Sequence, residues 1–207
     1  MKPAWPGTDI TVMRLLVTVV ALVLLVRGGG AALTSHVVPV HATLHERTAD
    51  ADAVLIVRIV GPVATHAEDI AGLLRQRQPE MVVGDSVLSV HTEYSADVVE
   101  VLKPHPFVGA NRVVTLSAPG GRADWGGRTV VVDAPLPELM AGATYLALAW
   151  YSGDLNRLIV HDHDVFRLDG PGVSAGACAG RTEYGRALVG RSAEHVTALV
   201  KAAVARQ

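Results

Sequence analysis

Cysteine is nearly absent: the only one in 207 residues is Cys178. A single thiol excludes an intramolecular disulfide, so the fold has to stand on its apolar core. No cysteine follows the apolar run near the start either, which excludes the acylated cysteine of lipoproteins. Charge of one sign is also lacking, with 18 Lys and Arg against 20 Asp and Glu. That balance offers no electrostatic reason to expect nucleic acid or an anionic membrane surface as a partner. Long hydrophobic runs are missing too. The longest, Leu15 to Val26, falls short of the roughly 20 residues needed to cross a bilayer.

That short run has Arg14 before it and small residues after it, "RGGGAALTS", which is the layout of a secretory leader. We therefore expect a signal peptide over residues 1–32, cleaved after Ala32, with Met13 as an alternative start. Arg27 directly after the run leaves an uncleaved anchor as the other reading, and contact with a membrane is expected only through that leader. The expected location is the periplasm or the extracellular space. Residues 33–191 are expected to form one domain, closed by a helix over 192–207, and this length suffices to bury a core.

Mature-region patterning is that of short strands. "HATLHERTAD" reads as a short helix running into the apolar strand "AVLIVRIV", with Gly61-Pro62 as its stop. "EDIAGLLRQRQPE" reads as a short helix or an excursion within a hairpin. In residues 88–98, Leu88, Val90, Thr92, Tyr94, Ala96 and Val98 alternate with polar residues, as a strand with one covered face requires. Its far end, with Val98, Val99, Val101 and Leu102, predicts covering on both faces. Further strands are expected at 112–118, 128–134, 144–151, 157–161 and 164–168, separated by turn-rich segments. "GPGVSAGACAGRTEYG" reads as a long loop. Val196, Leu199, Val200 and Ala203 form the stripe of an amphipathic C-terminal helix with Ser192 as N-cap. The expected fold is mainly β, a small antiparallel barrel or a sandwich with a short N-terminal helix and a C-terminal amphipathic helix.

The order "ADAVLIVRIV", "TEYSADVVEVLKP", a Gly-Gly turn, "LMAGATYLALAWY" and "DVFRLDG" resembles a group of exported bacterial β-barrel proteins of unassigned function. More remotely it is similar to the netrin-like modules that include the tissue inhibitors of metalloproteinases. The resemblance covers roughly residues 43–170, and it implies an OB-type five-stranded barrel with flanking helices. Those inhibitors act through a disulfide-tethered amino-terminal cysteine, which this chain lacks, so the resemblance does not bring the inhibitory activity with it.

Two places carry chemistry. In "RLIVHDHDVFRLDG", His161 and His163 fall on one side of a strand, a spacing used by two imidazoles on one zinc or copper ion, with Asp162 and Asp164 facing the other way. A third ligand has only remote sources: His41 with His45, His66, His91 or His105. The competing reading is a polar turn between two strands. In "APGGRADWGGRTV", two Gly-Gly pairs frame a hairpin with a long tip; it is not a phosphate loop, because it lacks the Gly-Lys-Ser/Thr ending and a following helix. Its Trp125, with Arg122, Asp124 and Arg128, is the candidate surface for a protein or other ligand. Cys178 carries no nucleophile signature in its flank "GACAG". No catalytic set is evident, so the expectation is a non-enzymatic binding module without a cofactor; the alternative is a periplasmic protein binding zinc or copper through His161 and His163.

Overall fold

The computed structural model describes residues 41–69, 88–108, 112–132, 139–153, 156–176 and 178–207. Apart from Asp69 and Leu88, which group with another unit of the chain, these belong to one compact unit. The leader and most of "EDIAGLLRQRQPE" lie outside the described residues.

The chain enters through helix α1 (Leu44–Asp50). Its first turn is closed by a reciprocal capping box between Thr43 and Glu46, which satisfies two otherwise orphaned donors. The Thr43 backbone N–H donates to Glu46, and this bond holds the Glu46 carboxyl below its ordinary pKa. At the other end the Lys103 ammonium donates to the carbonyls of Thr48 and Ala49, a cation placed on the negative end of the helix.

Strands β1 (Ala53–Asp69), β2 (Leu88–Lys103), β3 (Val113–Pro119), β6 (Thr144–Ser152) and β7 (Arg157–Arg167) bond in the order β3-β2-β1-β6-β7. A parallel pairing of β3 with β7, Leu116 beside Leu158, closes this sheet into a ring. Of the two expected architectures the barrel is therefore the one found, and its one parallel seam departs from a purely antiparallel sheet. Alternation sends Leu55, Val57, Tyr94, Ala96, Leu116, Tyr145, Ala147, Leu158 and Val160 to the inside, where they form the barrel core.

The opposite faces of β1 and β6, through Val54, Ile56, Leu146 and Leu148, form a second core with Phe166, α2 (Glu183–Leu188) and α3 (Ala193–Val204). As expected, Ser192 caps α3 and Val196, Val200 and Ala203 are its buried stripe. Val101 packs partly against the first core and Leu102 against the second, but Val99 is 47% exposed, so the expected covering of both faces holds only at the last residues of β2.

Four expectations need correction. First, β1 runs through Gly61 and Pro62 to Asp69 rather than stopping there. Its pairing with β6 ends at Arg58, so the proline lacks an N–H where that ladder no longer asks for one. Second, the two strands expected over 157–161 and 164–168 are not joined by a polar turn; residues 157–167 make one strand, β7, with an irregularity opposite Leu148. Third, "GPGVSAGACAGRTEYG" is not simply a loop. It holds strand β8 (Ser174–Ala175), a 3-10 turn over Ala179–Arg181 and the start of α2. The Thr182 hydroxyl, which donates to the Ala179 carbonyl and accepts from the Gly185 N–H, organises it, and a Cβ at Gly185 would lie 2.0 Å from the Ala179 carbonyl oxygen.

The fourth concerns the Gly-Gly pairs. "RADW" is no tip but part of strand β4 (Gly121–Trp125), which pairs with β5 (Arg128–Val132) across a two-residue turn. Gly126 and Gly127 both have positive φ, 55° and 76°, the condition for a type I′ hairpin turn. The first pair makes the corner from β3 into β4: Gly121 has φ 124°, and a Cβ there would meet the Thr92 Oγ1 at 2.4 Å.

Candidate functional site

The two candidate regions have opposite characters, one exposed and one sealed. In the β4–β5 hairpin the register pairs Trp125 with Arg128, Ala123 with Val130 and Gly121 with Val132, and these residues share one face. Ala123, Val130 and Val132 pack against Val90 in a small core of their own. Trp125 lies at the turn end of that face and is 41% exposed. Arg122 and Asp124 lie on the other face with Val131 and Thr129, and the Thr129 hydroxyl donates to Asp124 at 3.0 Å. The four residues singled out in the sequence therefore do not form one surface: Trp125 with Arg128 is one pair, Arg122 with Asp124 another. Val131, 60% exposed, was missed as a surface residue because a run of three valines reads as buried strand.

The His-Asp-His-Asp segment sits inside the irregularity of β7. Ala147 faces Val165 whereas Ala149 faces Val160, so one residue of β6, Leu148, is matched by four of β7. Val160 and Val165 both point into the barrel core, which an unbroken alternation forbids for residues five apart. Residues 161–164 absorb that parity change, and it turns Asp162, His163 and Asp164 into the protein, all three buried.

Each of these groups meets partners from distant elements. Arg47 of α1 grips Asp164 with two bonds, Nε to Oδ1 at 2.9 Å and Nη2 to Oδ2 at 2.6 Å. The guanidinium also lies over the Trp150 ring, 4.0 Å from its centroid. The Tyr184 hydroxyl donates to Asp164 Oδ1 at 2.7 Å and lies 3.1 Å from the His163 carbonyl. His163 Nδ1 stands 2.8 Å from Asp162 Oδ1, and its Nε2 stands 3.2 Å from Asp164 Oδ2 and 3.4 Å from Arg47 Nη2. The Cys178 thiol hydrogen-bonds Asp162.

Electrostatics follow from these contacts. Burial pulls the Arg47 pKa down, but the bond and the charge of Asp164 outweigh it and leave the guanidinium above its ordinary value. Burial and then Asp164 push the Tyr184 hydroxyl far above the tyrosine range. The bond to Asp162, then burial, raises the Cys178 thiol, the opposite of an activated nucleophile.

The metal pair expected from the sequence takes a different form. His161 and His163 do lie on one side, with rings stacked at 5.6 Å and 6° apart. Asp162 and Asp164, expected to face away, instead lie against the His163 ring. Both His163 nitrogens are thus engaged, one of them beside a guanidinium that repels any cation. Four of the remote histidines have partners elsewhere: His45 Nδ1 donates to the Ala203 carbonyl at 3.1 Å, His66 lies 3.6 Å from Glu93, His91 bonds Ser89 at 2.6 Å, and His105 accepts from the Phe107 N–H at 3.1 Å. Among the described residues no group of three or more His, Cys, Asp and Glu side chains is disposed to hold a metal ion.

Arg47 and Tyr184 were missed by sequence reasoning. Arg47 sits in a stretch that reads as a solvated helix, and nothing local ties it to an aspartate 117 positions away. Comparison with known proteins returned no matching family model and no matching curated protein. Among the described residues, no helix is long and apolar enough to cross a membrane.

Proposed function

We propose that this chain is an exported, non-enzymatic β-barrel module that binds a protein or other ligand through the β4–β5 hairpin. The observation that carries this reading is Trp125. A large aromatic stands 41% exposed beside the turn, paired across the ribbon with Arg128, on a backbone fixed by two glycines. Aromatic and arginine side chains on a preformed turn are the kind of anchor that binding surfaces use, because little conformational freedom is lost when they are covered. The other charged constellation supports the non-enzymatic part of the reading. Its His163, Asp162, Asp164 and Tyr184 are buried and bond within the cluster, so these side chains are turned away from solvent. Export rests on the leader-like residues 1–32.

The test compares Trp125→Ala and Arg128→Ala with the parent in partner capture from the exported fraction of the source cell. We expect both variants to keep the parent's unfolding midpoint and to lose the captured partner. Retention of the same partner by both would sink the hairpin reading. Amino-terminal sequencing of the exported protein, expected to begin at Leu33, checks the leader separately.

A further inference from the structure

The Met140 thioether is held in place from two directions. Its backbone N–H donates to the Tyr145 hydroxyl at 3.1 Å and its carbonyl accepts from the Ala143 N–H at 3.1 Å, while the Gly142 N–H bonds the Ile59 carbonyl at 2.7 Å. The turn before β6 is thereby tied to the barrel. The side chain meets the end of β7. There Arg167, which pairs with Tyr145 across the β6–β7 ladder, engages Asp169 through Nε at 2.6 Å and Nη2 at 3.2 Å, and donates from Nη1 to Met140 Sδ at 3.2 Å. A guanidinium forked on a carboxylate has its remaining donors in fixed directions, so this contact covers one side of a weakly accepting sulfur. The residue is nevertheless 51% exposed.

We infer that Met140 is a site of sulfoxide formation by hydrogen peroxide, and that Arg167 decides which side of the sulfur reacts. A peroxide oxygen bonds to Sδ as the O–O bond breaks. The sulfur gives up two electrons and the peroxide gains them; the departing hydroxide takes the proton of the transferred oxygen, so the products are a sulfoxide and water. Exposure admits the oxidant, as it does for any surface methionine. What is particular to this residue is the guanidinium. A sulfur carrying an oxygen and two different carbon arms is chiral, and a methionine free in solution is attacked on either lone pair. In this chain the Nη1–H lies on one lone pair and the backbone ties fix the arm that carries the sulfur. The oxidant therefore meets the other lone pair, and one sulfoxide epimer forms in excess. The inference stands apart from partner binding at Trp125, since it uses neither the hairpin nor its side chains.

The experiment treats the full chain with hydrogen peroxide beside free methionine amide and maps the oxidised peptides by mass. We expect the peptide that carries Met140 to gain one oxygen at the dose that oxidises the free amide. Peptide mapping keeps this residue separate from Met1, Met13 and Met81. The oxidised chain is then divided between two methionine sulfoxide reductases, each of which reduces one epimer. One of them should restore at least about three times as much Met140 as the other, the bias that about 0.6 kcal/mol of hydrogen bonding sustains. The ratio should fall towards one in Arg167→Ala. Arg167→Lys, which keeps the charge and the length of the side chain but not the fork on Asp169, should lower it as well and serves where the alanine variant does not fold. An unmodified Met140, equal epimers in the parent, or an excess that persists in the arginine variants would each overturn the inference.

Discussion

Arg47 and Tyr184 show how much of this architecture rests on single polar side chains. Asp164 is fully buried, and its charge is tolerated because the guanidinium and the phenol between them occupy its oxygens. Removing the guanidinium in Arg47→Ala should cost about 3–5 kcal/mol by chemical denaturation, since it leaves an uncompensated buried carboxylate. Tyr184→Phe should cost less, about 1–3 kcal/mol, with Arg47 still in place.

The tyrosine also sets a pH dependence. Folding raises its hydroxyl pKa, so the folded chain keeps a proton that the unfolded chain releases near pH 10. The stability it contributes is whole below about pH 10 and falls as pH rises further, and the fall should vanish in Tyr184→Phe. Denaturation midpoints at pH 8 and pH 10.5 in parent and variant check this. Cys178, raised by Asp162, should be alkylated only above the pH at which an ordinary thiol reacts, which a pH series with iodoacetamide measures.

At the level of elements, the glycines do the shaping. Gly126 and Gly127 hold left-handed backbone in a two-residue turn, a conformation asparagine accepts and β-branched residues resist. Gly126→Asn should leave the hairpin and its Trp125 emission unchanged, whereas Gly126→Val should expose the small core around Val90 and lower the unfolding midpoint. Gly185 is tighter still. Any side chain there would run into the Ala179 carbonyl, so Gly185→Ala should displace α2 and with it Tyr184.

Element identity was largely legible in the sequence. The alternation over residues 88–98, the stripe of 196–203 and its Ser192 cap all correspond to observed elements. The errors share a cause. Gly61-Pro62 and His161–Asp164 look like breaks because turns and polar runs end strands, yet both stay in strands because a neighbouring ladder has ended or a bulge takes up the extra residues.

For the whole molecule, the closed ring and the detached hairpin should differ in local stability. β6 and β7 have ladders on both sides and two cores beneath them, while among the described residues β5 has one ladder and a small core. Amide exchange should therefore be slowest at Leu146–Ala149 and Val165–Phe166 and much faster at Thr129 and Val131, and a mass-resolved time course reads both.

What the sequence by itself determined is periodic or local: mainly β structure from alternation, a capped final helix, and a fold without disulfides because only one cysteine exists. What only the tertiary structure decided is everything that depends on distant partners. The parallel seam between β3 and β7, the parity change that buries Asp162 to Asp164, and the gathering of Arg47, Trp150, Cys178 and Tyr184 around them leave no local pattern. Each is fixed by which strands meet when the ring closes, and a one-residue change of register there reverses which side chains face the core.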